Sequence, residues 1–350
     1  MSFVRTAPEQ HDSLDGVPEP SEHTLLVGHE DIALRLSEAF RAGRLHHALM
    51  FTGPSGIGKA TLAFRLAHHL LSHPDHATAP TVLRLPDPAS QTFRLIAQDA
   101  HPSLLHLTRP WDEKTKKFKT VLAVDEVRRV SKLLSRTAHD GGWRVVIVDP
   151  ADDLNTAAAN ALLKSLEEPP PRTVFVLVAH QPGRLLPTIR SRCQVHRLAA
   201  LGDGEVAQVI ASLGLSLPQE HRTTLLTRAG GSVRDAIMLT EYGGLEIGAA
   251  IDELLAGEKF LLPAAARIAD AVAGRDRAQQ FDQFNAHLSG ALAGASVRRA
   301  EQGEAIAAER LAEAWSEFGR VNRDTETYNL DKRQYVLSAL MRAHQALRTA

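Results

Sequence analysis

The fold of this chain is decided by nine residues, Gly53-Pro54-Ser55-Gly56-Ile57-Gly58-Lys59-Ala60-Thr61. They follow the short apolar run Ala48–Thr52, and the residues after them, 61–67, have helical spacing. A strand, a glycine-rich loop and a helix in this order are typical of a phosphate-binding loop, whose glycines let backbone N–H groups turn toward phosphate oxygens. The stretch therefore predicts a nucleotide site, with these candidate binding residues: Gly53, Pro54, Ser55, Gly56, Ile57, Gly58, Lys59, Ala60 and Thr61.

One position of the loop departs from the pattern. The motif requires a Ser or Thr directly after the lysine, because this hydroxyl ligates Mg²⁺, whereas the chain has Ala60. Alanine has no oxygen to offer a metal. We therefore expect ATP or ADP to be held weakly or without Mg²⁺. A nucleotide-free turn that is kept for packing is the alternative interpretation, and the sequence leaves it open.

Composition narrows the class of protein. The chain has 350 residues, enough for two or three domains, and 40 basic against 41 acidic side chains give a formal net charge of −1. This balance argues against a dedicated nucleic-acid binder, which carries a marked basic excess. The single cysteine, Cys193, excludes an internal disulfide and a cysteine-based zinc site. No apolar run approaches the roughly 18–20 residues of a membrane span, so we expect a cytoplasmic protein without membrane contact.

Alternating strands and helices predict a doubly wound parallel α/β core. The strands are expected at 48–52, 144–149 and 173–178, and the helices at 30–42, from 61, 125–138 and 156–168, the last capped by Asn155. Residues 73–110 are proline-rich and predict an irregular insertion, and residues 111–119 predict a charged hairpin tip. From residue 201 onward the pattern is helical, with a break near Tyr242-Gly243-Gly244.

These patterns divide the chain into four regions. Residues 1–23 are polar, rich in Pro, Asp and Glu, and lack the apolar stretch of a signal peptide, which predicts a disordered tail. Residues 24–200 predict the α/β phosphate-loop domain. Residues 201–244 predict a small helical domain, and residues 245–350 a larger C-terminal helical domain. The expected fold class is thus α/β plus all-α.

Two places could supply the carboxylate that a phosphate loop uses. Asp125-Glu126 follows a short apolar run but opens an amphipathic helix, where carboxylates favour the positive N-terminus. Asp149 ends a stronger β-branched strand, and we therefore prefer Asp149 as a nucleotide-site residue. The residue after Asp149 is Pro150, which cannot act as a catalytic base. If Asp149 is the acidic site, the sequence lacks both the metal hydroxyl and the base of an ATPase.

Two further stretches carry a resemblance to a known family. They are Asn160-Ala161-Leu162-Leu163-Lys164-Ser165-Leu166-Glu167-Glu168-Pro169-Pro170 and Leu185-Leu186-Pro187-Thr188-Ile189-Arg190-Ser191-Arg192-Cys193. With the loop, they resemble bacterial sliding-clamp loader subunits, which are AAA+ proteins of the DNA polymerase III holoenzyme, and most of all the non-hydrolysing delta-prime branch. The similarity runs from about residue 26 to about 239. The residues beyond it share only helical character with that family's oligomerising collar, and Asn329–Gln334 fits a helix start there.

The resemblance implies roles for two arginines. Ser191-Arg192-Cys193 matches the family's Ser-Arg-Cys motif, which makes Arg192 an arginine finger, and hence a catalytic residue, in a neighbouring subunit's ATP site. Such a guanidinium stabilises charge on phosphoryl oxygens. Gly231–Ala236 resembles the family's lid motif, so Arg234 is a candidate nucleotide contact. The zinc-binding cysteines found in some family members have no counterpart here, and no zinc is expected.

The resemblance also implies partners. They are the motor ATPase and clamp-opening subunits of the clamp loader and, through the complex, the sliding clamp and primed DNA. A self-sufficient AAA+ ATPase, either a motor loader subunit or a helicase-like motor, is the alternative. In that case Thr61 would shift to serve Mg²⁺ and Asp125-Glu126 would form the acidic pair.

Several residues have simpler interpretations than a functional role. His69 and His73 are spaced as metal ligands on a helix, but no third ligand of suitable spacing is evident, so a polar helix end is preferred. Cys193 is expected to be a small buried residue. The lysines of residues 114–119 are expected to form a solvated tip rather than a DNA contact.

Overall fold

The computed structural model describes residues 5–135, 141–274 and 276–349. The chain divides into two compact units: unit 1 is Met1–Ser216 with Gly230–Arg234, and unit 2 is Leu217–Ala229 with Asp235–Ala350. The finer division at residues 24–200, 201–244 and 245–350 stays a prediction. Of the described residues, none forms a helix long and apolar enough to span a membrane.

Unit 1 is built on a five-stranded parallel sheet whose strand order is β2-β5-β6-β1-β7. The three central strands are buried along their whole length, as their continuous apolar runs predict. The strands, with a separate hairpin of β3 and β4, are β1 (Ala48–Thr52), β2 (Leu104–Leu107), β3 (Trp111–Asp112), β4 (Lys117–Phe118), β5 (Arg144–Val148), β6 (Thr173–Ala179) and β7 (Gln194–Arg197).

Helices cover both faces of this sheet, because side chains of a strand alternate between the faces. Leu49 and Phe51 enter one apolar cluster with α1 and α2, whereas Ala48 and Met50 enter a second cluster with α4 and α5. The expected doubly wound core is confirmed. Its helices are α1 (Glu30–Arg41), α2 (Lys59–Ser72), α3 (Gln91–Ala97), α4 (Val124–Leu134), α5 (Thr156–Glu167), α6 (Pro187–Arg190) and α7 (Asp203–Ser212).

Local sequence features fix several of these boundaries as expected. The Asn155 side chain accepts a hydrogen bond of 2.9 Å from the Ala158 N–H and so begins α5, a cap that contributes about 1 kcal/mol. The hairpin at residues 111–119 is confirmed, with Trp111 packed edge-on to Phe118. Helix α4 follows the prediction to Leu134, and residues 136–138 of that prediction lie outside the described residues.

The segment 73–110 contains more regular structure than its prolines predict. Helix α3 begins at Ser90, whose hydroxyl accepts a hydrogen bond from the Phe93 N–H, and β2 pairs in parallel with β5 at the edge of the sheet. The polar edge strand β7 was not predicted from the sequence either. Edge strands are short and half-exposed, so they lack the long apolar run of a central strand.

Residues 5–23 differ from the disordered tail that their composition predicts. They form an irregular segment, hereafter the N-terminal segment, with its own hydrogen bonds. The Glu22 carboxylate accepts hydrogen bonds from the backbone N–H groups of Thr6, Ala7 and Glu19, at 2.7, 3.1 and 3.0 Å. Leu14 is buried. Side-chain capping of backbone groups orders the segment, and a compositional rule does not capture such pairs.

The regular elements of unit 2 are helices in the part of the chain that the structure describes, and they pack around an apolar core. At its centre, the Tyr335 hydroxyl donates a 2.7 Å hydrogen bond to Asn285. The expected break at Tyr242-Gly243 separates α9 from α10, and Asp331 caps α14 at the expected place by accepting from the Gln334 N–H. The helices from α8 onward are α8 (Arg222–Ala229), α9 (Val233–Glu241), α10 (Gly244–Ala256), α11 (Leu262–Val272), α12 (Ala278–Glu301), α13 (Ala305–Thr327) and α14 (Lys332–Thr349).

Candidate nucleotide site and arginine finger

The phosphate loop connects β1 to α2 and packs tightly against residues 232–234, which belong to the same unit. Gly56 has a φ of 72°, and a Cβ there would lie 2.3 Å from the Ser232 Oγ and 2.6 Å from the Arg234 Cβ. The Val233 N–H donates a 2.9 Å hydrogen bond to the Gly56 carbonyl. The loop therefore has no room for a side chain at Gly56, and Arg234 is its immediate neighbour.

Lys59 is directed at the carbonyls of its own loop. The side chain is buried, and its ammonium donates to the Gly53 carbonyl at 2.9 Å and to the Pro54 carbonyl. Burial lowers the pKa of Lys59 to about 8, while the carboxylates of Asp149 and Asp152 oppose this shift. The lysine is thus a buried cation satisfied by neutral oxygens, in position to exchange them for phosphate oxygens.

The structure places the two candidate acidic positions in different environments. Asp149 follows β5 at the carboxyl edge of the sheet, with β6 between β5 and β1. Burial raises the pKa of Asp149 to about 7, and the negative charge of Asp12 adds to the shift, while Lys59 opposes it. Asp125 lies instead in the exposed first turn of α4, paired with Arg128 at 2.5 Å. Asp149, and not Asp125, belongs to the loop's electrostatic surroundings.

The carboxylates after Asp149 are engaged in structural contacts. Asp152 Oδ2 accepts hydrogen bonds from the backbone N–H groups of His180 and Gln181, at 2.5 and 3.2 Å. Asp153 accepts two bonds from the Arg109 guanidinium, at 2.5 and 3.1 Å. Pro150, which directly follows Asp149, is buried and has no acid function. The position directly after Asp149 therefore carries no carboxylate, and the two carboxylates that follow are engaged in other contacts.

His180 directly follows the central strand β6 at the same edge, a placement that the sequence patterns did not single out. Burial lowers the pKa of His180 to about 4, and the positive charge of Lys59 adds to the shift, so the ring is neutral at physiological pH. Its Nδ1 and the Asp152 Oδ1 are buried without a hydrogen-bond partner. Two unpartnered polar atoms beside a glycine cradle fit a polar ligand at this edge.

A nucleotide's phosphates and its metal ion fit these residues differently. The positive φ values of Gly53, Gly56 and Gly58 and the nearby ammonium of Lys59 suit phosphate oxygens. Ala60, half-buried in the first turn of α2, supplies no oxygen for Mg²⁺. Among the residues that the structure describes, no group of three or more His, Cys, Asp or Glu side chains could hold a metal ion.

Arg234 contacts the N-terminal segment. Its guanidinium donates a hydrogen bond to the Asp12 carbonyl, and its Nη1 lies 3.8 Å from the Asp12 carboxylate. The sequence predicts a nucleotide contact for this arginine. The Asp12 contact joins positions more than two hundred residues apart, and no sequence pattern indicates it.

Arg192 lies at the end of α6, apart from the loop's hydrogen bonds. Its guanidinium donates to the Thr188 carbonyl at 2.9 Å and pairs with the Glu167 carboxylate at 2.5 Å. The side chain is 35% exposed. The neighbouring Cys193 is partly buried, and burial raises the pKa of its thiol to about 12, which agrees with a packing role.

A parallel sheet with a Gly-Lys loop between β1 and α2 defines an α/β protein of the P-loop class. The family model described as "DNA polymerase III, delta subunit" matches residues 28–202, which is half of the chain. The chain belongs to this family, as its motifs predicted.

Relatives agree with this assignment. The chain is 37% identical over 216 residues to the DNA polymerase III subunit delta' of Pseudomonas aeruginosa, covering 62% of this chain and 61% of that protein. It is 35% identical over 205 residues to the same subunit of Escherichia coli, covering 59% and 58%. It is also 30% identical over 242 residues to the subunit gamma/tau of Mycobacterium tuberculosis, covering 68% and 38%. The matches thus span about three fifths of the delta' relatives' length.

Proposed function

We propose that this chain is a delta-prime-like subunit of the DNA polymerase III clamp loader. It takes part in ATP-dependent loading of the sliding clamp onto primed DNA, in the cytoplasm, together with the motor ATPase and clamp-opening subunits. The chain hydrolyses little or no ATP itself. It supplies Arg192 in trans to the ATP site of a neighbouring subunit. Similarity to proteins named delta' and gamma/tau supports the proposal.

The observation that carries the proposal is the contrast between an incomplete loop and an available arginine. The loop lacks a metal hydroxyl at Ala60, and Pro150 takes the place of a base after Asp149. Arg192 is half-exposed, and its charged partner is one carboxylate, that of Glu167, at 46% exposure. An exposed ion pair is weak, so a phosphoryl group could displace Glu167 at low cost.

Nucleotide binding by the loop is a separate part of the proposal. Backbone N–H groups of the glycine-rich turn and the Lys59 ammonium would hold ATP or ADP, weakly or without Mg²⁺. No zinc is involved. The alternative of a self-sufficient ATPase loses support because Asp125, its candidate acid, lies in an exposed helix turn and is paired with Arg128.

Reconstitution tests the proposal. The purified chain is combined with the gamma/tau and delta subunits, the clamp and primed DNA of the same organism, and ATP hydrolysis and clamp loading are measured. Arg192→Ala is expected to lower the DNA-stimulated hydrolysis rate by about tenfold or more, since an arginine finger stabilises transition-state charge. Arg192→Lys keeps the charge but loses the planar fork, so it should recover only part of the rate.

Arg190→Ala is the matched control, because Arg190 is an exposed arginine at the end of α6, two residues before Arg192. It should leave both rates close to those of the unchanged chain. Equal hydrolysis rates for Arg192→Ala and Arg190→Ala would contradict the finger role.

A further inference from the structure

The N-terminal segment is held in place at both of its ends. Arg5 donates a 3.0 Å hydrogen bond to the Val17 carbonyl, and Glu22 bonds the backbone of Thr6 and Ala7, which brings the start and end of the segment together. Ser21 anchors the segment to α3 through a hydrogen bond of 3.4 Å to the Ala97 carbonyl. The intervening residues, including His11 and Asp12, therefore project as a fixed tip.

This tip reaches the carboxyl edge of the sheet, where the phosphate loop lies. Arg234 donates to the Asp12 carbonyl and lies 3.8 Å from its carboxylate. His11 is 17% exposed, and its pKa is lowered by burial and affected by the charges of Asp12, Arg109 and Asp153. The charge of Asp12 also acts on Asp149 and on His180. The tip is thus surrounded by the groups that border the loop.

A nucleoside triphosphate and the Asp12 carboxylate would both bring negative charge to this edge of the sheet. The Cβ and backbone of Arg234 pack directly on Gly56, while its guanidinium donates to the Asp12 carbonyl. The carboxylate of Asp12 adds negative charge beside Asp149, where a triphosphate would bring several more negative charges. Binding nucleotide with Arg234 therefore requires Asp12 to leave.

We propose that the N-terminal segment is a built-in competitor of nucleotide, with Asp12 occupying Arg234 in the way that an anionic phosphate group would. The apparent affinity of the loop is then lowered by the fraction of molecules in which the tip is docked. The inference rests on nucleotide binding by Gly53–Thr61, which is part of the proposed function, and it is independent of the role of Arg192.

Fluorescent ATP and ADP analogues, titrated with and without Mg²⁺, test this competition in the full chain. Asp12→Lys places a positive charge against Arg234 and should release the tip. We expect it to tighten nucleotide binding at least fivefold. Removal of residues 1–23 should tighten binding by at least as much, and a thermal unfolding curve verifies that this shorter chain is folded.

Glu9→Lys is the matched control, because it makes the same change of charge at an exposed position of the same segment. It should leave the affinity within twofold of the unchanged chain. Equal affinities for all chains, or equal tightening by Glu9→Lys and Asp12→Lys, would overturn the competition alone. Absence of binding by every chain, the folded shorter one included, would overturn both the competition and the proposed nucleotide site.

Discussion

The cations beside the phosphate loop and the cation Arg192 differ in how they are buried and paired. At the loop, Lys59 is buried against carbonyls, and Arg234 is bonded to Asp12. At the end of α6, Arg192 is half-exposed and pairs with the exposed carboxylate of Glu167. The loop's cations are satisfied within the chain, whereas Arg192, the proposed finger, is partly exposed. The difference supports the proposal that this chain hydrolyses little ATP itself and contributes to the ATP site of a neighbour.

The largest expected loss of stability tests how tightly the loop is packed. Gly56→Ala places a Cβ within 2.6 Å of Ser232 and Arg234 and forces a left-handed backbone on alanine, so it should cost about 3 kcal/mol of unfolding free energy. Gly58→Ala has a similar backbone but no atom within 4 Å, and it should cost about 1–2 kcal/mol. Urea denaturation measures both, and equal costs would contradict the tight contact.

Asp149 makes the stability of the loop region dependent on pH. Its pKa is raised by burial from 3.8 to about 7, so between these values the folded chain keeps a proton that the unfolded chain releases. This group's contribution therefore falls as pH rises from 4 to about 7. Asp149→Asn removes this loss and should raise the free energy of unfolding at pH 8 by at most about 4 kcal/mol.

Denaturation curves at pH 4 and pH 8 check the Asp149 prediction. Asp125→Asn serves as the control because Asp125 is exposed. The difference between Asp149→Asn and the unchanged chain should be small at pH 4 and large at pH 8, whereas Asp125→Asn should show little difference at either pH. A pH-independent effect of Asp149→Asn would contradict the buried, raised-pKa carboxyl.

A smaller effect is expected from restoring the missing metal ligand. Ala60→Thr supplies the hydroxyl that the phosphate-loop pattern requires, and it should make nucleotide affinity increase with Mg²⁺ by several fold. The unchanged chain should show little response to Mg²⁺. Titration of a fluorescent ATP analogue with and without Mg²⁺ measures the gain, and a Mg²⁺ response of equal size in both chains would show that Ala60 is not the limiting residue.

The smallest expected effect concerns the ion pair between Arg192 and Glu167. Glu167→Gln removes the charged partner of Arg192, but exposed pairs contribute at most about 1 kcal/mol, so chemical denaturation should detect little change. A loss of several kcal/mol would mean that Arg192 is a structural residue, and the contrast between the two regions would disappear.

The central fold was predictable because its strands are continuous apolar runs. β1 was predicted at its observed bounds, and β5 and β6 to within one residue, because burial on both faces leaves a strong pattern. The edge strands β2 and β7 were not predicted. Each is only four residues long; His106 interrupts the apolar run of β2, and three of the four side chains of β7 are polar, so pairing with a neighbour rather than composition determines them.

The candidate site was predictable where its groups are local in sequence. The loop and the preference for Asp149 over Asp125 followed from a motif and from strand strength. The contacts of Arg234 with Asp12 and of Asp152 with His180 and Gln181 did not. They join residues that only the folded sheet brings together, and the composition of the N-terminal segment even favoured disorder.

One measurement tests most directly the claim that this chain supplies an arginine to a neighbouring ATP site and does not depend on ATP hydrolysis of its own. ATP hydrolysis of the reconstituted clamp loader on primed DNA is compared for Lys59→Ala and Arg192→Ala, each introduced in this chain alone. The account predicts that Lys59→Ala leaves the rate within about twofold, whereas Arg192→Ala lowers it by about tenfold or more. A large loss with Lys59→Ala and none with Arg192→Ala would contradict it.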